Sequence, residues 1–197
     1  MKLHLGCGDN YLEGYTNIDF PEDNTVQKRR KAPDIIGDFT TMNFDNESCN
    51  EVRLHHVFEH FQRHIAISFV CKWNRWLEWN GKLTLAMPDI EECIKQFGPA
   101  GEMRKRQLIR HMWGSHEANW ATHHEGWYPG SAYDMLEACG FMHIDVVRNN
   151  GQWPEFIITG LKRKPPELNE IARFLFPYDF RDGMLKNWLE KIKSEIK

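Results

Sequence analysis

Residues 2–20, KLHLGCGDNYLEGYTNIDF, constrain this chain more than any other stretch. Lys2-Leu3-His4-Leu5 is a short β-prone run, and Gly6-Cys7-Gly8 follows at once. Tyr15-Thr16-Asn17-Ile18 is a second β-prone run that ends on Asp19. A glycine turn after a first strand lets the backbone approach a ligand and aims N–H groups at its anionic part. An acid at the end of the next strand can accept hydrogen bonds from a ribose diol. The stretch reads as the nucleoside-binding corner of a parallel sheet, with an ordinary tight turn as the plain alternative. The dinucleotide fingerprint G-x-G-x-x-G fails, because Tyr11 stands at the third glycine position. Asp19 also comes only eleven residues after Gly8, where that pattern wants about twenty.

The rest of the chain alternates strand and helix patterns. Asp34-Ile35-Ile36-Gly37 is a candidate third strand ending at Asp38, and 51–57 is a fourth. A helix is expected over 64–80, with Ile65, Ala66, Phe69, Val70, Trp73, Trp76 and Leu77 on one face and Asn80-Gly81 as its stop. Residues 82–87 form a fifth strand, ended by Pro88. Helical pieces over 90–97 and 102–113 flank Gly98-Pro99, and GSHEANWATHHEGWYPG follows. Connections this long are usually lids or binding loops. Ser131 opens a short helix, with Asp134 in the capping-box position and Gly140 at its close. Two strands, 141–148 and 156–161, turn around Asn149-Asn150-Gly151. Helices near 167–175 and 184–197 end the chain, and Leu185, Trp188, Leu189, Ile192 and Ile196 make one apolar stripe. That stripe covers either its own core or a homodimer partner. This order predicts a parallel α/β sheet with helices on both faces. It divides the chain into residues 1–164, with a lid insertion at about 90–128, and a C-terminal helical extension over 165–197.

Composition narrows the setting. A net charge of −3 argues against nucleic-acid binding by bulk charge. The five cysteines are scattered, odd in number and never C-x-x-C, which points to reduced thiols in the cytoplasm. The first strand is expected at residue 2, which leaves no room for a signal peptide, and no apolar run of ~18 residues offers a membrane span.

LGCGDNYLEGYTNID resembles the first motif of the class I S-adenosylmethionine-dependent methyltransferases. It is most similar to a branch of small members with an L-G-C-G opening and an N-I-D second strand. GDFTTMNFDNESCNEVRLHHVFEHF at 37–61 and WLEWNGKLTLAMPD at 76–89 resemble later stretches of the same family, in the same order. The likeness spans roughly residues 2–162. It implies a doubly wound, mostly parallel Rossmann-like sheet with an antiparallel final strand, S-adenosylmethionine as cofactor and a small-molecule substrate. By the same resemblance Gly6, Cys7 and Gly8 cradle the cofactor and Asp19 takes the ribose. Asp38 takes the adenine amino group, Phe39 flanks the ring, and His55 and His56 lie at the end of the fourth strand beside it. For Asp38 a turn cap on Thr40-Thr41 stays open as an alternative. One departure stands out. Nine residues separate Leu5 from Tyr15, whereas a parallel crossover usually takes a dozen or more. The first helix must therefore be vestigial or absent. Many relatives build a substrate lid from a segment before the first strand, and here the lid is expected from 90–128, the tail or a partner instead.

His56-Val57-Phe58-Glu59-His60 matches H-x-x-E-H, an inverted zinc-protease signature. That chemistry needs both histidines on one helical face, whereas here the motif straddles a strand end. The same letters resemble the H-V-L-E-H that follows the fourth strand in many methyltransferases, so no metal is expected. His116, His123, His124 and Glu125 are the other group with metal-binding side chains. Glu59, His60, His123, Trp127 and Tyr128 are assigned to a substrate pocket, although Trp120, Trp127 and Tyr128 fit a core equally well. A hydroxyl acceptor wants a general base, most often His. The candidates are His56, His60, His123 and His124. His124 is favoured because HEGW resembles an element that folds over the cofactor mouth, with His56 second. O-methylation of a sugar or cell-envelope precursor is the first functional expectation. The alternatives are an RNA-modifying enzyme acting through the basic clusters at 28–31 and 104–110, and a non-catalytic cofactor-binding protein.

Overall fold

The computed structural model describes residues 1–20, 30–179 and 183–196. Lys28 and Arg29 of the first basic cluster and Lys197 of the expected last helix lie outside the described residues.

Among the described residues seven strands form one sheet: β1 (Lys2–Leu5), β2 (Thr16–Asp19), β3 (Ile35–Ile36), β4 (Cys49–His55), β5 (Leu77–Pro88), β6 (Phe141–Asn149) and β7 (Glu155–Lys162). Their order is β3-β2-β1-β4-β5-β7-β6. β1 pairs in parallel with both β2 and β4, and β7 runs antiparallel to both of its neighbours. The period of two decides what each face carries. Leu3, Leu5, Val52, Leu54, Leu83, Leu85, Phe156 and Ile158 are all fully buried in one cluster. The alternate positions His4, Asn17, Glu51 and Thr84 are buried polar groups. Three of them are paired laterally: Lys82 Nζ stands 3.0 Å from Glu51 Oε1, and His4 Nδ1 stands 3.1 Å from Asn17 Oδ1.

The helices are α1 (Arg63–Trp76), α2 (Ile90–Phe97), α3 (Glu102–Trp113), α4 (Pro129–Ala138), α5 (Leu168–Leu175) and α6 (Leu185–Ile196). Residues from α1, α4, α5 and α6 join the same cluster as the Leu3–Leu5 face, whereas α2 and α3 build a small core of their own from Cys93, Leu108 and Met112. No helix occurs within 6–15, as the short spacing between β1 and β2 requires. The C-terminal stripe covers its own chain. Ile192 is fully buried, Leu185, Trp188, Leu189 and Ile196 pack against the main cluster, and Trp188 stacks on His64 of α1 at 5.9 Å. All five cysteines are buried.

Three expected boundaries move. The helix predicted over 64–80 ends at Trp76. Leu77 already pairs with Cys49, and the next pair is Glu51 with Lys82, so 78–81 bulge out of the ladder. Asn80, with φ 65, and Gly81 mark that bulge rather than a helix stop. Strand pairing and full burial of Leu77 outweigh a weak helix propensity. The fourth strand stops at His55, two residues early, because His56 turns to φ 53. The helix expected from Ser131 starts at Pro129, whose fixed φ suits a first turn. Ser131 Oγ donates to Tyr128 O at 2.9 Å, so Asp134 is not a capping-box residue.

Candidate active site

The glycine turn is held on both sides. Gly6 N and Cys7 N donate to Ile18 O at 2.8 and 3.2 Å, and Gly8 N donates to Asp19 Oδ2 at 2.5 Å. Phe20 N donates to Asp19 Oδ1 at 2.7 Å. Gly6 has φ +66, and a Cβ there would lie 2.6 Å from Val57 Cγ2, so only glycine permits the turn to close on Val57, just past β4. Asp19 is 9% exposed at the carboxyl end of β2. Asp38 Oδ1 accepts from Thr40 N at 2.9 Å and from Thr40 Oγ1 at 2.5 Å, which is the turn-cap arrangement. Phe39 is buried edge-to-face against Phe61.

Next to Val57, His56 lines a cavity of about 770 Å³. His56, Glu59, His60, His111, His123 and Glu155 line it, with Trp120 and Trp153 at its wall. A 3-10 turn, Phe58–His60, follows β4 and presents Glu59 and His60. The segment after α3 is stitched onto that turn. His123 N donates to Trp113 O at 3.1 Å, and His124 N donates to Glu59 O at 2.9 Å. Arg63 of α1 pairs with Glu125 at 2.9 Å.

His56 lies between two carboxylates. Its Nδ1 is 3.2 Å from Glu59 Oε1 and its Nε2 is 2.9 Å from Glu155 Oε2. Burial alone would lower its pKa, but Glu59 and Glu155 raise it to about 8. Burial would push the Glu59 carboxyl up, yet the hydrogen bond and charge of His56 hold it below the usual carboxylate range. Both ring nitrogens of His56 face carboxylate oxygens, which favours the doubly protonated ring as donor to both. Burial lowers the pKa of His55, His111 and His123 and so favours their neutral form.

The structure brings Glu59, His60, His56 and His123 together in the cavity but not the whole predicted set. His124 is exposed and does not line it; its neighbour His123 does. Trp127 was expected in the pocket but is 2% exposed in the core, 5.2 Å from the Phe58 ring. Tyr128 lines a second, separate cavity with Tyr178 and Arg173. His111 and Glu155 belong to the cavity and carried no local sequence signal. Glu155 reaches His56 across 99 residues, and His111 sits among basic residues on α3.

The glycine turn after β1, the acid at the end of β2 and the cavity beyond β4 all lie at the carboxyl ends of the strands, where open α/β sheets bind ligands. No protein-family model matches the chain, and no curated protein matches it. Solved structures do. A SAM-dependent methyltransferase of Thermotoga maritima is similar at a TM-score of 0.57 and 13% identity, over 82% of each chain. A SAM dependent methyltransferase from Archaeoglobus fulgidus is similar at 0.55 and 12% identity, over 81% of this chain and 85% of that one. The 1,6-didemethyltoxoflavin-N1-methyltransferase of Burkholderia thailandensis, solved with S-adenosylhomocysteine, is similar at 0.54 and 11% identity, over 82% and 70%. The chain has the fold of the SAM-dependent methyltransferases.

Proposed function

We propose that this chain is a S-adenosylmethionine-dependent methyltransferase acting on a small molecule. The observation that carries the reading is the shared wall at 55–57. Val57 touches the glycine turn, and its neighbour His56 lines the cavity. A cofactor held on Gly6, Cys7 and Gly8, with Asp19 on its ribose and Asp38 and Phe39 at its adenine, would direct its sulfonium toward that wall.

Methyl transfer is an in-line displacement. The acceptor's lone pair bonds the methyl carbon, the carbon–sulfur pair returns to sulfur, and S-adenosylhomocysteine leaves. The protein has to align the three atoms and exclude water. A hydroxyl acceptor also gives up a proton. His56 does not suit that task, since both of its nitrogens are already donors. His111 suits it better. Its Nε2 lies 2.8 Å from the Pro154 carbonyl, which fixes the proton there and leaves the Nδ1 lone pair to accept. Trp120 and Trp153 offer flat faces to a sugar ring, and the surrounding histidines and carboxylates offer partners to its hydroxyls. These features support a glycosyl or cell-envelope precursor as acceptor. The test is calorimetric titration with S-adenosylhomocysteine, followed by a panel of sugar acceptors read by mass spectrometry for an added methyl group. Absence of cofactor binding would defeat the reading.

A further inference from the structure

Three side chains close together on the cavity wall each keep a lone pair free toward the others. Glu59, His60 and His123 each offer a ligand atom, and these atoms lie within 4.8 Å of one another. Glu59 is 1% exposed. Its Oε1 takes the His56 proton, while its Oε2 is buried with no hydrogen-bond partner. A buried carboxylate oxygen left unsatisfied is costly. The two rings are oriented from behind. His60 Nδ1 lies 3.2 Å from Thr122 O, and His123 Nδ1 lies 3.2 Å from Met112 O. Each carbonyl can only accept, so each Nδ1 carries the proton and each Nε2 keeps its lone pair. His123 Nε2 faces Glu59 Oε1 at 3.9 Å. Metal-binding histidines are held in this way, with the second nitrogen donating to a carbonyl or carboxylate.

We infer that Glu59, His60 and His123 bind a divalent first-row transition-metal ion. Two imidazoles and one carboxylate are a donor set for such ions, and three protein ligands leave positions open for water or an oxygen donor from the cavity. Ligand bonds of about 2.0–2.2 Å require the three groups to draw slightly closer than they stand. The neighbouring trio His55, His56 and Glu155 is also close enough, but His56 has no lone pair to give, because both of its nitrogens donate to carboxylates. The H-x-x-E-H letters thus supply two ligands from one turn, and the third comes from the segment after α3. The site stands apart from the methyl-transfer reading, since metal binding needs no cofactor.

The test strips the purified full chain with a chelator and titrates Zn²⁺ against a chromogenic competitor. Co²⁺ absorption in the visible region reports coordination on the same protein. The expected result is one ion per chain with a Co²⁺ spectrum of low coordination number. Affinity should fall by at least about 100-fold in His123→Ala and in His60→Ala, a larger loss than removal of an outer-sphere partner causes. His116→Ala, an exposed histidine outside the trio, should bind as the wild type does. Circular dichroism confirms that each variant is folded, and His123→Gln replaces any that is not. No stoichiometric binding by the wild type would overturn the inference. So would binding that survives loss of both His60 and His123, or binding lost in His55→Ala but kept in His123→Ala.

Discussion

Glu155, at the start of β7, sets a carboxylate oxygen 2.9 Å from Nε2 of His56, one residue past the end of β4. The antiparallel hairpin thereby reaches back across the sheet to fix the charge state of a histidine in the cavity. The first prediction follows from that contact. In Glu155→Gln one of the two anions is gone, so the His56 pKa should drop from about 8 toward the ordinary ~6.5. NMR titration of the ring protons reads this directly, and an unmoved value would contradict the assignment.

A second prediction concerns the base. Loss of a His base typically costs about 10²–10⁴-fold in rate. On an acceptor that turns over, His111→Ala should lower turnover by that order while S-adenosylhomocysteine affinity stays nearly constant. His124→Ala should have a much smaller effect, because that side chain does not line the cavity. A full loss in His124→Ala with normal turnover in His111→Ala would reverse the two roles.

The third prediction separates two tryptophans. Trp127 is buried against Phe58, so Trp127→Ala should destabilise the fold by about 3–5 kcal/mol. Trp120 is 52% exposed at the cavity, and Trp120→Ala should change stability by no more than about 0.5 kcal/mol. Urea unfolding distinguishes them, and equal losses would place Trp127 outside the core.

Much of this architecture was legible. Residues 2–20 announce β1, the turn and β2 because glycines and alternating apolar residues are local signals. The spacing between Leu5 and Tyr15 also predicts the missing first helix. The end of α1 was not legible, because Leu77–Asn80 carries a helical pattern that pairing with β4 overrides. Nor was the full cavity, since Glu155 and His111 reach it only through tertiary packing. The tryptophan of HEGW could be core or pocket from its chemistry alone, and only the neighbouring Phe58 ring decides for the core.

A fourth prediction is a stability change with pH. Burial lowers the pKa of His4. Between the ordinary ~6.5 and this lower value the unfolded chain binds the extra proton. Stability is then full above about pH 6.5 and is lost as pH falls toward the folded value. His55, His64, His111 and His123 shift in the same direction, also by burial. His56 opposes them, its contribution being present below ~6.5 and lost as pH rises through about 8. Urea unfolding should give a lower free energy at about pH 5.5 than at about pH 7, with a smaller difference in His4→Gln. An identical difference in that variant would contradict the assignment.

The central claim is that the corner formed by the Gly6–Gly8 turn and Asp19 holds the nucleoside of S-adenosylmethionine. Isothermal titration of S-adenosylhomocysteine into the wild type and Asp19→Ala tests it most directly. The account predicts micromolar binding by the wild type. It predicts a loss of about 1–3 kcal/mol in the variant, the cost of removing a charged acceptor from two hydroxyls. Wild-type binding that is absent, or an affinity unchanged in Asp19→Ala, would contradict it.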